Sequence, residues 1–301
     1  MRIQMSANNG RGAKDTGKYD GRPECYGDTK PMPPGKYAQV WKTVRILSEK
    51  AEINQPALYI NDSDKPRADA ALFKGNGHMS FSKSMLEEGF KDKDIMIGVI
   101  GHEIGHIKLK HSQVGTAVRI CEIVFSTATF MASTIGIFAK ACLEPFRALM
   151  FQAPNVSGMA NAMVAAGAGA VVSIAAGISS GYIAWTAWDF MGNYISRKCE
   201  ISASKYTVRL TGDYKGLERG YMFVKDWGEE TFDSKPWKER ITEIGHYAGC
   251  ESAVIRPKNW LEKAVAKIVY AFGDDHPALP KMLSSIEKEH AELSRSMRQG
   301  A

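Results

Sequence analysis

The sequence has no C-x-x-C pair and no even set of cysteines. Its five, Cys25, Cys121, Cys142, Cys199 and Cys250, are scattered, and two of them fall in or beside apolar stretches. That pattern argues against a disulfide framework and fits a reducing compartment. The first 35 residues hold no apolar run, so they offer no signal-peptide core. They are rich in Gly, Pro, Lys and Asp, a composition expected to give a flexible tail over residues 1–35. The net charge of +6 is modest, and no Lys/Arg block is interleaved with aromatics. Nucleic-acid binding is therefore not expected. Internal repeats are absent, and runs of β character are few and short.

What the chain does have is His102-Glu103-Ile104-Gly105-His106, an H-E-x-x-H stretch. On a helix, residues i and i+4 share a face, so both imidazoles can reach one metal ion. The glutamate between them is turned aside but stays close enough to act on water as a general base. The approach is Lys91-Asp92-Lys93-Asp94, with Asp94 as the expected N-cap, and Ile95, Met96, Val99 and Ile100 then form an apolar stripe. A helix is predicted from about Asp94 to His111.

Ahead of it, Lys36 to Lys50 alternates as an amphipathic helix. Ala57 to Ile60, a strand starting at Leu72-Phe73, and His78 to Ser82 supply a small sheet, with Gly75-Asn76-Gly77 as a turn. The strand His78–Ser82 is a candidate for pairing with an extended substrate at a sheet edge. Ser84 to Gly89 is a short helix. After the motif the composition changes. No charge occurs from Ile123 to Ala139, or from Ala148 to Trp188. Met159 to Trp188 is long enough to cross a bilayer, and Lys140 to Asn161 connects the two segments. Tyr182, Trp185 and Trp188 cluster at one end, as in an interfacial belt. Small residues throughout suit close helix packing in lipid, although a soluble hairpin has the same composition. Lys108, Lys110, Arg119, Arg197 and Lys198 put positive charge on the motif side, which the positive-inside rule assigns to the cytoplasm. Helices follow over 197–210, ending at Thr211-Gly212, then over 215–226, 257–272 and from 280 onward. The expected fold is mostly α with a small β-sheet (α+β). Residues 36–115 and 191–301 form the two parts of one domain, split by an apolar helical hairpin at 116–190.

A zinc peptidase needs a third protein ligand. His111 is out of register for a metzincin, which would want His at 112. Glu122 lies sixteen residues past His106, about 24 Å along a continuous helix. It could come close only if the helix broke, for example at Gly115. Glu144 sits in the hairpin connection. Glu200 is better placed, because an antiparallel return from the hairpin brings it back beside His102 and His106. The competing reading makes Glu200 part of a solvated face with Arg197 and Lys198.

Three stretches occur in order around the hairpin: Ile100-Gly101-His102-Glu103-Ile104-Gly105-His106-Ile107, Ser196-Arg197-Lys198-Cys199-Glu200-Ile201-Ser202-Ala203, and His276-Pro277 before Lys281-Met282-Leu283. Together they resemble peptidase family M48, the zinc gluzincins that include HtpX-type heat-shock proteases and CAAX proteases. The likeness covers residues 37 to 290 and includes the strand and helix from His78 to Leu86. It implies one Zn²⁺ per chain on His102, His106 and Glu200, Glu103 as base, and His276 as a donor to the oxyanion. It also implies a protein or peptide substrate, contact with membrane lipid, and a multi-pass position in the bacterial inner membrane serving membrane-protein quality control. A dedicated peptide- or lipoprotein-processing protease and a zinc-binding membrane scaffold without peptidase activity are the other readings. Two departures stand out. The family pattern E-x-x-A-D ends here in Ser204, so a supporting carboxylate is missing. The Asn-Ala-Phe-like stretch is blurred to Asp69-Ala70-Ala71-Leu72-Phe73.

Overall fold

The computed structural model describes residues 29–151, 156–233, 260, 264 and 279–299. Four strands, β1 (Thr29–Pro31), β2 (Ala57–Asn61), β3 (Ala68–Phe73) and β4 (Asn76–Ser82), form one mixed sheet in the order β1-β2-β4-β3. β1 pairs with β2 and β3 with β4 in antiparallel fashion, while β2 and β4 are parallel. Thr29–Pro31 thus carry sheet structure inside the stretch read as a tail. The β3–β4 turn is Lys74-Gly75, not Gly75-Asn76-Gly77, since Phe73 pairs directly with Asn76. Both turn residues have positive φ, 48° and 83°, as a two-residue hairpin of this hand requires. Gly77 is a strand residue instead. A Cβ there would stand 3.1 Å from Pro56 Cβ and 3.2 Å from Ile107 Cδ1, so its place reflects close approach.

β4 is bonded on both sides, which removes His78–Ser82 as an edge for substrate. The edges are β1 and β3. Among the helices, α1 (Ala38–Lys50) sends Val40, Val44 and Leu47 into the common core, and Ser82 caps α2 (Lys83–Glu87) by accepting from Met85 N at 3.2 Å. A short 3-10 turn at Gly89–Lys91 leads into α3 (Lys93–Lys108). The cap of α3 is Asp92, whose Oδ1 accepts from Asp94 N at 2.9 Å and Ile95 N at 3.4 Å. Asp94, expected as the cap, stands in the first turn and pairs with Arg219. Ile100 and Ile104 of α3 are completely covered, in one core with Val44, Leu58, Met79, Phe81 and Met85. Burying each such side chain stabilises the fold by roughly 1.5–3 kcal/mol.

α3 stops at Lys108, and Lys110 takes a left-handed conformation (φ 57°). A new helix, α4 (His111–Phe151), starts at once and α5 (Val156–Thr211) returns beside it. The connection is therefore shorter than 140–161, because both helices run into that range. The return helix of 197–210 is the last part of α5, which ends before Gly212 (φ 77°) as its C-terminal signal indicates. α6 (Lys215–Asp233) and α7 (Leu279–Gln299) complete the described chain. The helix predicted over 257–272 lies outside the described residues, apart from helical Trp260 and Ala264.

The hairpin is long and bare. α4 and α5 contain the two helices apolar and long enough to cross a membrane, and almost none of either apolar window is buried. Ile123, Ile135, Val164 and Val171 are 60–73 % exposed. A soluble core hairpin would hide these side chains. The two helices pack through small residues: a Cβ on Gly177 would collide with Thr134 Oγ1, and one on Gly169 with Ala141 Cβ.

Candidate metal centre

The site is set by how close three helices come to one another. Gly105 lies between His102 and His106 on α3, and a Cβ there would be 2.9 Å from Ala203 O and 3.1 Å from Ala203 Cα. Glycine lets α5 touch the α3 backbone at that level. Glu200, one turn before Ala203, then faces both histidines. Gly98 does the same for α6: a Cβ there would be 2.3 Å from Leu217 N. Gly216 opposes it, with Asp94 O in the place of its absent Cβ. These glycines disfavour an isolated helix by up to about 1 kcal/mol each, and packing offsets that cost.

Three donor atoms converge. His102 Nε2 is 3.0 Å from His106 Nε2 and 3.1 Å from Glu200 Oε2, and His106 Nε2 is 3.3 Å from Glu200 Oε1. Their ligand atoms all lie within 4.8 Å of one another, a group that could hold a metal ion. Donors about 2.0–2.2 Å from a tetrahedral zinc stand roughly 3.3 Å apart, so spacing and donor chemistry fit that ion. His102, Glu103 and Glu200 are buried and His106 is half-buried, which leaves the His106 side as the approach.

Each imidazole has its other nitrogen occupied. His106 Nδ1 is 3.1 Å from His111 Nδ1, and His111 Nε2 is 3.1 Å from Ser202 Oγ. If His106 offers its Nε2 lone pair to a metal, Nδ1–H donates to His111. His111 Nε2–H then donates to Ser202 Oγ, whose proton goes to Cys199 O at 2.9 Å. His102 Nδ1 faces Ser204 Oγ and Tyr221 Oη, each at 3.4 Å. The Tyr221 phenol resists ionisation, its pKa pushed up by burial first and then by the negative charge of Glu200.

The structure thus brings His102, His106 and Glu200 together, with Glu103 in the same helical turn. Glu122 is buried elsewhere and bonded to Arg119 at 2.6 Å. His276 lies outside the described residues. Sequence reasoning missed His111 and Tyr221. His111 was set aside on register, and the helix break that brings it close falls on a lysine, which gives no warning. Tyr221 is 119 residues from His102 and carries no motif.

The family model for peptidase family M48 matches residues 34–248. A protein described as Protease HtpX homolog, from Thermodesulfovibrio yellowstonii, is 30 % identical over 101 residues, covering 33 % of this chain and 35 % of its own length. Protease HtpX homolog 1 from Saccharolobus solfataricus is 26 % identical over 106 residues, covering 35 % of this chain and 33 % of its own. The chain spans about a third of the length of these curated relatives. No solved structure matches it.

Proposed function

The chain belongs to peptidase family M48, and from that premise we propose that it is a zinc-dependent endopeptidase set in a membrane by its α4–α5 hairpin. In this reading residues 36–115 and 191–301 build one peptidase domain around the hairpin at 116–190. One zinc ion is held by His102, His106 and Glu200. The observation that carries the proposal is the convergence of these donors to 3.0–3.3 Å, with Glu103 one residue from His102. When bound, zinc supplies a Lewis acid that makes water a stronger acid and polarises the substrate carbonyl. Glu103 takes a proton from the attacking water onto its carboxylate and passes it to the leaving amine nitrogen. His276 takes the part of donor to the oxyanion. The covering of His102 and Glu200 by α5 and α6 excludes bulk water from the inner wall. β3 is an edge strand beside the site and is the candidate for pairing with extended substrate, although its Leu72 N is already bonded to Ser112 Oγ at 3.0 Å.

The substrates proposed are damaged or unassembled membrane proteins, cleaved on the cytoplasmic side of a bacterial inner membrane. The names of the two relatives support proteolysis and the bare apolar hairpin supports a place in a membrane; the substrate class and the side follow from the family resemblance and the positive-inside rule. Detergent-purified, zinc-loaded protein is expected to cleave casein or itself, and chelator should abolish the activity. Glu103→Gln should lower turnover about 10²–10⁴-fold while zinc content is kept. If zinc-loaded protein cleaves neither, the scaffold reading replaces this one. Loss of zinc in Glu122→Ala but not in Glu200→Ala would overturn the ligand assignment.

A further inference from the structure

We propose that Tyr221, acting with Ser204, is the positioning group for His102, an uncharged pair standing where the family pattern has a carboxylate. The inference rests on the zinc reading of the site. A histidine that gives its Nε2 lone pair to a metal must carry its proton on Nδ1, and that N–H needs an acceptor. Among the acceptors of the described residues, Ser204 Oγ and Tyr221 Oη each stand 3.4 Å from His102 Nδ1.

Proton accounting assigns every partner. Glu200 O and Met282 Sδ can only accept, and the carbonyl, the stronger acceptor at 2.7 Å, takes the single proton of Ser204 Oγ. Ser204 Oγ then has only lone pairs left, and Tyr221 O–H donates to it at 2.8 Å. Tyr221 Oη in turn has only lone pairs left, which face His102 Nδ1–H. Met282 Sδ, 3.2 Å from Ser204 Oγ, is the weaker alternative acceptor for the serine proton. Ser204 Oγ stands no nearer to His102 Nδ1 than Tyr221 Oη does and already meets Glu200 O, Tyr221 Oη and Met282 Sδ. The phenol supplies the second acceptor.

The phenol is also held in place. The Gly98–Gly216 contact fixes α6 against α3 one turn before His102. Arg219, two residues from Tyr221, is bonded to Asp92 at 3.1 Å and to Asp94. The Tyr221 and His102 rings meet edge to face, with centroids 6.0 Å apart and planes at 82°. The charged groups nearby are Glu200 and Glu103. A carboxylate at 204 would add a third negative charge to that pocket, and the neutral pair avoids it.

The test measures zinc affinity of the full chain in detergent, by competition with a chromogenic chelator and zinc alone as ligand. Tyr221→Phe is expected to weaken zinc binding about 10–100-fold. The melting temperature of the chelator-treated protein should be unchanged by that substitution. Adding Ser204→Asp to Tyr221→Phe should restore the affinity, because a carboxylate then accepts from Nδ1 in the space the hydroxyl left. Wild-type affinity in Tyr221→Phe, no rescue by Ser204→Asp, or an equal loss of melting temperature in the chelated protein would each overturn the proposal. If the wild type itself binds no zinc, the metal reading falls and this inference with it.

Discussion

His111 stands outside the proposed ligand set, yet its Nδ1, 3.1 Å from His106 Nδ1, bears on which nitrogen of His106 would be left for a metal. Replacing it leaves His106 Nδ1–H facing a gap and the ring unanchored. His111→Ala is therefore expected to weaken zinc affinity by about 10–100-fold, read by chelator competition, with Glu103 and the ligands intact. Unchanged affinity would make His111 mere packing. The residue scale also marks how far the sequence was legible. His102, Glu103, His106 and Glu200 follow from helical spacing and an antiparallel return. His111 did not, because five residues on a continuous helix place it about 140° away from His106. The left-handed Lys110 resets that angle, and lysine is not a residue that announces such a conformation.

At the scale of elements, the close crossings decide the site. Gly98→Ala would drive a Cβ to within 2.3 Å of Leu217 N, a backbone atom that cannot swing aside. The expected result is destabilisation of about 1–3 kcal/mol or more, seen as a lower melting temperature, with displacement of α6. A wild-type melting temperature would show that α6 yields freely. The far end of α5 is tied to α7 by Glu289, which accepts from Arg209 Nε at 2.5 Å and meets Lys205 Nζ at 3.3 Å. Burial works to raise its pKa, but the two cations outweigh that and hold it below the usual carboxylate range. The group is more acidic folded than unfolded. Its contribution is thus complete above the ordinary glutamate value of about 4.3 and fades as pH falls through the folded value. Glu289→Gln should lower the melting temperature at pH 7, and the difference should shrink below about pH 4.3 and vanish in stronger acid. A difference independent of pH would mean the carboxylate's charge is irrelevant. The elements themselves were unevenly legible. Helical stripes and the Thr211-Gly212 stop were plain, whereas β1 is three residues long and β3 lacks alternation. Asp92 and Asp94 are equally good caps by residue type, and only the backbone entering α3 chooses between them.

At the scale of the whole molecule, the hairpin was visible as two charge-free runs, but not the continuity of its helices. α4 and α5 extend 41 and 56 residues, about 61 and 84 Å, far past the compact part of the chain. Alkaline carbonate washing of membranes is expected to leave the protein in the pellet. Release into the supernatant would sink the membrane reading. Trp188 rests on Phe125 across the hairpin, with ring centroids 5.2 Å apart, at the level where the aromatic cluster begins.

That continuity turns the hairpin into a ruler. Eleven residues of α4 separate His111 from Glu122, and eleven of α5 separate Asp189 from Glu200. On the membrane reading, α5 holds Glu200, and α4 holds its first residue His111, about 16 Å above the last charged residue before the apolar zone. An extended chain covers about 3.3 Å per residue, so for the membrane peptidase proposed above a substrate anchored in the same bilayer would need roughly five unfolded residues to reach the site. A folded or tightly tethered neighbour would fall short of that height. The spared and the cleaved would then differ by the length of loose chain each can lift off the membrane.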